Sequence, residues 1–166
     1  MGSLNSCVDQ AIESKVDFFL FCGDAYKTAY PTPTQQKLFM QIFFRLQKAE
    51  IPIVIVVGNH DHPLSFGKAH SLDVFSSLPL DGFHIFSKPG IITLKTKNGP
   101  VQIVGVPWPS RHNLMTKDEY RNESSHDLTK LLSKKVGGII ENLAGQLDKD
   151  IPAVLAGHLT VSSGVF

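Results

Sequence analysis

The segment IPIVIVVGNHD, residues 51–61, opens with apolar and mostly β-branched side chains and ends abruptly in glycine and polar residues. Its apolar part is too short for a typical helix, and β-branching favours a strand that is buried on both faces. The segments VDFFLFCGD, residues 16–24, and IPAVLAGH, residues 151–158, share this form. The sequence therefore predicts three buried strands, each of which ends in glycine followed by a polar residue.

A helix is predicted between the first two of these strands. Thr32 can cap its start, Pro33 suits the first helical position, and Gln35 completes a capping box. Strand, helix and strand over roughly 40 residues form a βαβ unit, whose crossover is almost always right-handed. Five apolar side chains are expected to line one face of this helix: Leu38, Phe39, Ile42, Phe43 and Leu46.

Weaker patterns place the remaining elements of what we expect to be an α/β fold. Asn98-Gly99 between two β-type runs is a hairpin signal, and Pro100 leaves the exact turn open. Residues 112–126 are polar and are expected to form a loop. The other predicted elements are an amphipathic helix at 4–15, a short helix near 69–76, a strand at 83–86, the hairpin strands at 91–96 and 101–106, and a long helix at 128–147.

The composition indicates one globular domain. A length of 166 residues matches about one domain, and 42% hydrophobic with 19% charged residues argue against disorder. A net charge of +1 excludes strongly basic, histone-like binding of nucleic acid but allows a locally basic groove. Two cysteines, Cys7 and Cys22, exclude a disulfide framework, and Cys22 is expected to pack as a small apolar residue. The apolar runs are far shorter than a membrane span. No charged segment followed by an apolar stretch marks a secretory peptide, so the cytoplasm is the expected location.

Polar side chains follow the ends of the three predicted strands. Ligands of α/β sheets bind beyond the carboxyl ends of the strands, so we expect Asp24, Asn59, His60 and His158 to converge. One carboxylate, one amide oxygen and two imidazoles suit manganese, iron(II) or zinc. Each residue by itself is better explained as a turn or capping residue. The unbroken Gly-Asn-His-Asp run, taken together with Gly-Asp after the preceding strand, favours a site.

Gly23-Asp24 followed by Gly58-Asn59-His60-Asp61 resembles the calcineurin-like metallophosphoesterases. The longer match from FFLFCGDAYKT to AEIPIVIVVGNHDHP resembles the SbcD-type nuclease branch of that family, and the resemblance continues through GPVQIVGVPWPSR and IPAVLAGHLTVSSG. The resemblance implies a sandwich of β-sheets flanked by helices. It also implies that residues 1–166 form a partial metallophosphoesterase domain, truncated at both ends.

The resemblance also implies a role for each site residue. Asp24 matches the aspartate that bridges two metals, and Asn59 and His158 match ligands of the second metal. His60 matches the histidine that contacts the scissile phosphate and protonates the leaving oxygen, and Asp61 matches an acidic neighbour that orients it. The implied cofactors are two divalent ions, manganese foremost, with iron(II), zinc or magnesium as alternatives. Such ions clamp a phosphoryl group and lower the pKa of bound water.

The sequence departs from the family pattern at two motifs. Neither the opening Asp-x-His nor the later Gly-His-x-His occurs, so only Asp24 remains for the first metal. Lys27 stands where nuclease relatives carry a histidine or an acidic residue, and it is expected to contact a DNA phosphate. The hypothesis is therefore an incomplete two-metal site, with weak metal binding and little or no hydrolysis by this chain alone.

The expected function is metal-dependent hydrolysis of DNA phosphodiesters, as an SbcD-type exonuclease and endonuclease of DNA repair. The resemblance implies DNA, an SbcC-type ATPase subunit and a second copy of the chain as partners, and no membrane. One alternative is another calcineurin-like phosphoesterase that cleaves nucleotides or phosphoproteins. Another is a non-catalytic binding or assembly fragment, whose apolar helix face at 38–46 pairs with a partner.

Four further residues are candidates for the substrate groove, each with an ordinary structural explanation beside it. His62 and His70 lie near the site in sequence, although a solvated loop histidine is the commoner explanation for each. Trp108 and Arg111 follow a strand and can touch nucleic acid by stacking and phosphate contact. Core packing for Trp108 and solvent exposure for Arg111 are the alternatives.

Overall fold

The computed structural model describes residues 2–61, 71–73, 81–110, 114 and 125–161. This part of the chain contains both helices and strands, which alternate at its beginning and at its end, so the predicted α/β class is confirmed. Its elements are α1 (Gly2–Glu13), β1 (Phe19–Cys22), α2 (Pro33–Lys48), β2 (Ile53–Val56), β3 (Phe83–Phe86), β4 (Gly90–Thr96), β5 (Gly99–Val106), α3 (Ser125–Ala144) and β6 (Ala153–Gly157).

The described strands form two three-stranded sheets. The first sheet has the order β1-β2-β3 and is parallel throughout, with Phe19 beside Ile53 and Ile53 beside Phe83. The predicted βαβ unit is therefore confirmed. The second sheet has the order β4-β5-β6, with β5 antiparallel to β4 and parallel to β6. A parallel strand pair brings its carboxyl ends to one edge, so β5 and β6 end together, as do β1 and β2.

The first core lies between the first sheet and the helices α1 and α2. Ile53, Ile55 and Val57 point into it, because alternate residues of a strand face the same side. From α2, the Phe39 and Phe43 rings pack edge-on against a β1 phenylalanine at centroid distances of 5.8 and 5.7 Å. Each such buried side chain stabilises the fold by roughly 1.5–3 kcal/mol.

The apolar face of α2 is thus part of the core, with one correction to its predicted members. Phe39, Ile42, Phe43 and Leu46 are buried, whereas Leu38 is 43% exposed. Leu38 lies at the margin of the helical stripe, beyond the width that the sheet covers. Since the first sheet covers the buried part of this face, that part is not free to pair with another protein.

The second core lies between the two sheets, which form a sandwich. Val54 and Val56 of β2 and Phe86 of β3 pack against Ile103 of β5. A Cβ atom at Gly105 would lie 2.1 Å from the Phe86 ring, so this strand position has room only for glycine. The family fold implied by the sequence is therefore present in the described residues.

The local sequence signals for α2 and for the hairpin are both confirmed. Thr32 accepts a hydrogen bond from the Gln35 backbone, and the Gln35 side chain accepts one from the Thr32 backbone. The capping box is therefore confirmed. Thr96 pairs with Gly99, so Lys97 and Asn98 are the central residues of the turn. Gly99 begins β5 at a φ of +122°, which favours glycine.

Among the strands that the structure describes, only β2 is buried along its whole length, so the expectation of three buried strands was wrong for β1 and β6. Cys22 of β1 is exposed, against the prediction that it packs as an apolar residue, and Leu155 of β6 is 55% exposed. Among the described strands, β1 and β6 lie at sheet edges and have a neighbour on one side only. Less of their surface is therefore covered.

The predicted helix at 128–147 is observed as α3, which begins three residues earlier and continues through Gly137 and Gly138. The predicted short helix at 69–76 and the loop at 112–126 lie largely outside the described residues. Within the described part of the chain, no helix has the length and apolar character to span a membrane.

The buried side chain of Gln102 fixes the segment that leads into β6. Its Nε2 donates to the carbonyl oxygens of Asp148 at 2.8 Å and Ile151 at 3.1 Å. Its Oε1 accepts the Asp148 N–H at 2.9 Å. Because the amide is hydrogen-bonded at both ends, it is buried without a large penalty. The start of β6 is thereby anchored to β5, which helps to place the histidine that follows β6.

Candidate metal centre

Residues that follow β1, β2 and β6 meet at one edge of the sandwich. His158 Nε2 lies 3.0 Å from Asn59 Oδ1 and 3.6 Å from Asp24 Oδ1. The backbone N–H of His60 donates to the same Asp24 oxygen at 3.1 Å. The structure thus brings together the four residues that the sequence predicts to converge, although 134 positions separate Asp24 from His158 (158 minus 24).

Two glycines allow the loops to approach this closely. A Cβ atom at Gly23 would lie 2.3 Å from His158 Nδ1, and one at Gly58 would lie 2.4 Å from Asp24 Oδ1. Gly23 and Asp24 have φ values of +87° and +56°, in the left-handed region. For an aspartate this conformation costs free energy, and such residues cluster at functional sites. The Gly-Asp and Gly-Asn sequences are therefore explained by crowding around Asp24 and His158.

Asp61 connects the two loops from behind the site. Its side chain is fully buried, and Oδ2 accepts the N–H of Gly58 at 2.9 Å and the N–H of Asp24 at 3.0 Å. The resemblance assigns Asp61 the task of orienting His60. The hydrogen bonds that the described residues make to this carboxylate come instead from the backbone. Sequence reasoning missed this linkage, although an aspartate three residues after a glycine turn commonly bonds the local backbone.

The environment of His158 fixes which ring nitrogen carries hydrogen. Nδ1 lies 2.7 Å from the carbonyl oxygen of Cys22, which can only accept, so Nδ1–H is the donor. In the neutral ring, Nε2 then presents a lone pair to the oxygens of Asn59 and Asp24. Three electron-rich atoms face one another, and a metal cation or a proton between them, or a rotated Asn59 amide that donates its N–H to Nε2, would make the arrangement favourable. A backbone carbonyl on Nδ1 is also the usual support of a metal-binding histidine.

The donor set fits one divalent cation. Two ligand atoms that each lie ~2.1 Å from one cation are about 3.0 Å apart at a right angle and about 3.4 Å apart at the tetrahedral angle. The observed separations of 3.0 and 3.6 Å are close to these values. Among the described residues, no three His, Cys, Asp or Glu side chains form a metal-binding group, so the set depends on the amide of Asn59. Of the predicted ligands, only Asp24 remains for a second ion.

The other predicted site residues are spread around this centre. His60 and Lys27 are exposed, which leaves both side chains accessible to a substrate. The Trp108 ring packs edge-on against the His158 ring, with centroids 5.9 Å apart and planes at 75°. Trp108 thus supports a candidate ligand directly, a contact that the sequence did not indicate. Arg111, His62 and His70 lie outside the described residues.

Comparison with known proteins gives two findings. The family model described as "Metallophos: Calcineurin-like phosphoesterase" matches residues 2–162. The SbcD subunit of the SbcCD nuclease from Bacillus subtilis (strain 168) is 23% identical over 167 residues, which cover 99% of this chain and 41% of that protein. The chain therefore spans less than half the length of this curated relative.

Proposed function

The chain belongs to the calcineurin-like phosphoesterase family, and we propose that it contributes one half of a metal-dependent site that hydrolyses DNA phosphodiesters. Family membership indicates a hydrolase of phosphoesters. The observation that carries the proposal is the convergence of His158 Nε2, Asn59 Oδ1 and Asp24 Oδ1 within 3.0 and 3.6 Å. These atoms are the donors that a divalent cation such as manganese accepts.

DNA is proposed as the substrate because the chain is similar to a protein named as part of a nuclease. By the same similarity, an SbcC-type ATPase subunit and a second copy of the chain are the proposed partners, and the cytoplasm is the proposed compartment. Lys27 lies three positions after Asp24 in the sequence, and its side chain is exposed and positively charged. This supports the choice of an anionic substrate.

The chemistry divides between the bound ion and the side chains of this chain. A divalent ion supplies Lewis acidity towards the phosphoryl oxygens and a hydroxide nucleophile at neutral pH. Asp24, Asn59 and His158 would hold the ion. His60, exposed beside Asp24, would donate its proton to the departing alkoxide as the phosphorus–oxygen bond breaks. Lys27 would hold a neighbouring phosphate by charge.

Calorimetric titration with Mn²⁺ tests the metal site. We expect one ion per chain, and at least ten-fold weaker binding in His158→Gln, because an imidazole ligand is lost. His84→Gln is the matched control, since His84 lies on β3, away from the carboxyl-end loops. Two equivalent ions per chain, or no binding at millimolar Mn²⁺, would contradict the proposal, and the second result would favour a non-catalytic assembly fragment.

Binding and cleavage assays test the substrate class. Fluorescence anisotropy with labelled duplex DNA is expected to show weaker binding for Lys27→Ala. The slope of the logarithm of the binding constant against the logarithm of salt concentration should fall by about 1. The exposed Lys149 provides the control Lys149→Ala. Cleavage by this chain alone is expected to be slow, to require Mn²⁺, and to be lost in His60→Ala. Faster turnover of p-nitrophenyl phosphate than of DNA would indicate a phosphomonoesterase of the same family instead.

A further inference from the structure

Three buried polar atoms lie behind the candidate metal centre without a hydrogen-bond partner among the described residues. They are the hydroxyl of Tyr26, the hydroxyl of Ser71 and Oδ1 of Asp61. The three residues are 6%, 8% and 0% exposed. Folded proteins rarely leave such atoms unpaired, because each has lost its hydrogen bonds to solvent water. Three in one region of a small chain therefore need a common explanation.

The surrounding contacts link the segments that carry these three atoms. Asp61 accepts the N–H of Asp24, and Tyr26 follows Asp24 by two residues. The carbonyl oxygen of Asp61 accepts the Ser71 N–H at 3.0 Å. The Tyr26 ring is held against Phe39, with centroids 5.2 Å apart, so its hydroxyl has little freedom to move towards solvent.

Charge and burial act together on the Tyr26 hydroxyl. Burial raises its pKa, and the negative charge of Asp61 raises it further. A tyrosine hydroxyl is protonated at physiological pH and can therefore donate a hydrogen bond. The electrostatic effect of Asp61 also agrees with a short separation between the two side chains.

We propose that one buried water molecule bridges the Tyr26 hydroxyl, the Ser71 hydroxyl and Oδ1 of Asp61. The water donates one hydrogen to the carboxylate and uses its remaining positions for the two hydroxyls. A buried water typically makes about three hydrogen bonds, which is the number of partners offered here. One water molecule thereby provides a hydrogen-bond partner for all three atoms.

Tyr26 and Ser71 are then positioning residues for Asp61. The water holds the rear oxygen of the carboxylate, while the front oxygen, Oδ2, accepts the N–H groups of Gly58 and Asp24. These hydrogen bonds hold Asp24 in its left-handed conformation. The inference concerns loop geometry and holds whether or not a metal binds, so its test does not depend on the proposed function.

The substitution Tyr26→Phe tests the bridge by the sign of its effect. Removing an unpaired buried hydroxyl leaves stability unchanged or raises it, whereas removing a bridged one destabilises the loops. We expect a lower Tm and about five-fold faster amide exchange at Gly58 and Asp24, the factor that corresponds to one hydrogen bond of ordinary strength. Tyr30→Phe makes the same chemical change at a side chain that is 67% exposed, and both measures should stay unchanged.

A second variant and a crystal structure complete the test. Ser71→Ala should also accelerate the exchange of both amides, and the double variant should show less than the summed effect, because one water is lost only once. A crystal structure of the unmodified chain should show ordered water within hydrogen-bond distance of all three atoms. An unchanged or raised Tm in Tyr26→Phe with unaltered exchange would overturn the proposal. So would strictly additive effects, or a Tyr26 hydroxyl bonded directly to the carboxylate.

Discussion

The carboxylate of Asp61 accepts the backbone N–H of Asp24 at 3.0 Å, across a separation of 37 positions in the sequence. The same oxygen accepts the N–H of Gly58 at 2.9 Å. One buried side chain thus joins the loop after β1 to the loop after β2. Since Asp24 is a candidate metal ligand, the geometry of the metal centre depends on a residue that lies behind it.

Replacing Asp61 by alanine should destabilise the chain by roughly 2–4 kcal/mol, because two backbone donors lose their acceptor in a buried environment. Asp61→Asn should cost less, since its amide oxygen can still accept. Urea denaturation measures the free energy of unfolding of each variant. The exposed Asp150 supplies the control Asp150→Ala, which is expected to change it by less than about 0.5 kcal/mol. Equal losses in Asp61→Ala and the control would contradict the linkage.

Substitution of glycine by alanine should lower the stability at Gly58 and raise it at Gly138. Gly58→Ala places a Cβ atom 2.3 Å from the Asp24 nitrogen, so the loops must separate, and we expect a loss of at least ~2 kcal/mol. At Gly138, in α3, a Cβ atom would meet nothing within 4 Å. Gly138→Ala should therefore stabilise the chain by about 0.5–1 kcal/mol, because alanine is the better helix former. Thermal unfolding distinguishes the two, and a stabilising Gly58→Ala would refute the crowding argument.

The start of α2 offers a comparison within one helical turn. Thr32 accepts the Gln35 N–H at 3.3 Å, and its own N–H donates to the Gln35 side chain at 2.8 Å. Thr32→Ala should cost about 1 kcal/mol, the typical value of an N-cap. Thr34 is exposed two residues later, and Thr34→Ala should be neutral or slightly stabilising. If both variants unfold at the same urea concentration, the cap makes no net contribution.

Much of the fold could be predicted because its signals are either local in the sequence or follow from a general rule of sheet topology. The capping box of α2 depends on residues three positions apart, and the convergence of Asp24 with Asn59 follows from parallel strands that end at one edge. Other features depend on tertiary neighbours. The exposure of Leu155 reflects an edge position in the sheet, which the alternation of a strand cannot reveal.

The contacts that position the site residues could not be predicted from the sequence for a different reason. Asp61 binds backbone N–H groups, and every residue except proline has one, so no side-chain type marks its partners. The contact between Trp108 and His158 joins two different strand ends, and sequence spacing carries no information about it. The candidate metal ligands could therefore be identified from the sequence, whereas the residues that position them could be identified only from the structure.

The last prediction concerns pH and His84, which is half-buried on β3. Burial lowers the pKa of His84 below its ordinary value of 6.5, because the charged imidazolium loses solvation. Below that value the unfolded chain binds the proton more readily than the folded chain. The contribution of His84 to stability is therefore retained above about pH 6.5 and is lost as the pH falls through the lowered pKa. The slope from one proton is at most ~1.4 kcal/mol per pH unit.

Urea denaturation at intervals from pH 5 to pH 8.5 measures this effect in the unmodified chain and in His84→Gln. Glutamine does not titrate, so the difference in unfolding free energy between the two proteins should be constant above pH 7.5 and should shift in favour of the variant as the pH falls. The high-pH range serves as the internal control, because there His84 is neutral in both the folded and the unfolded state. A difference that stays the same across the whole range would mean that protonation of His84 is not coupled to folding.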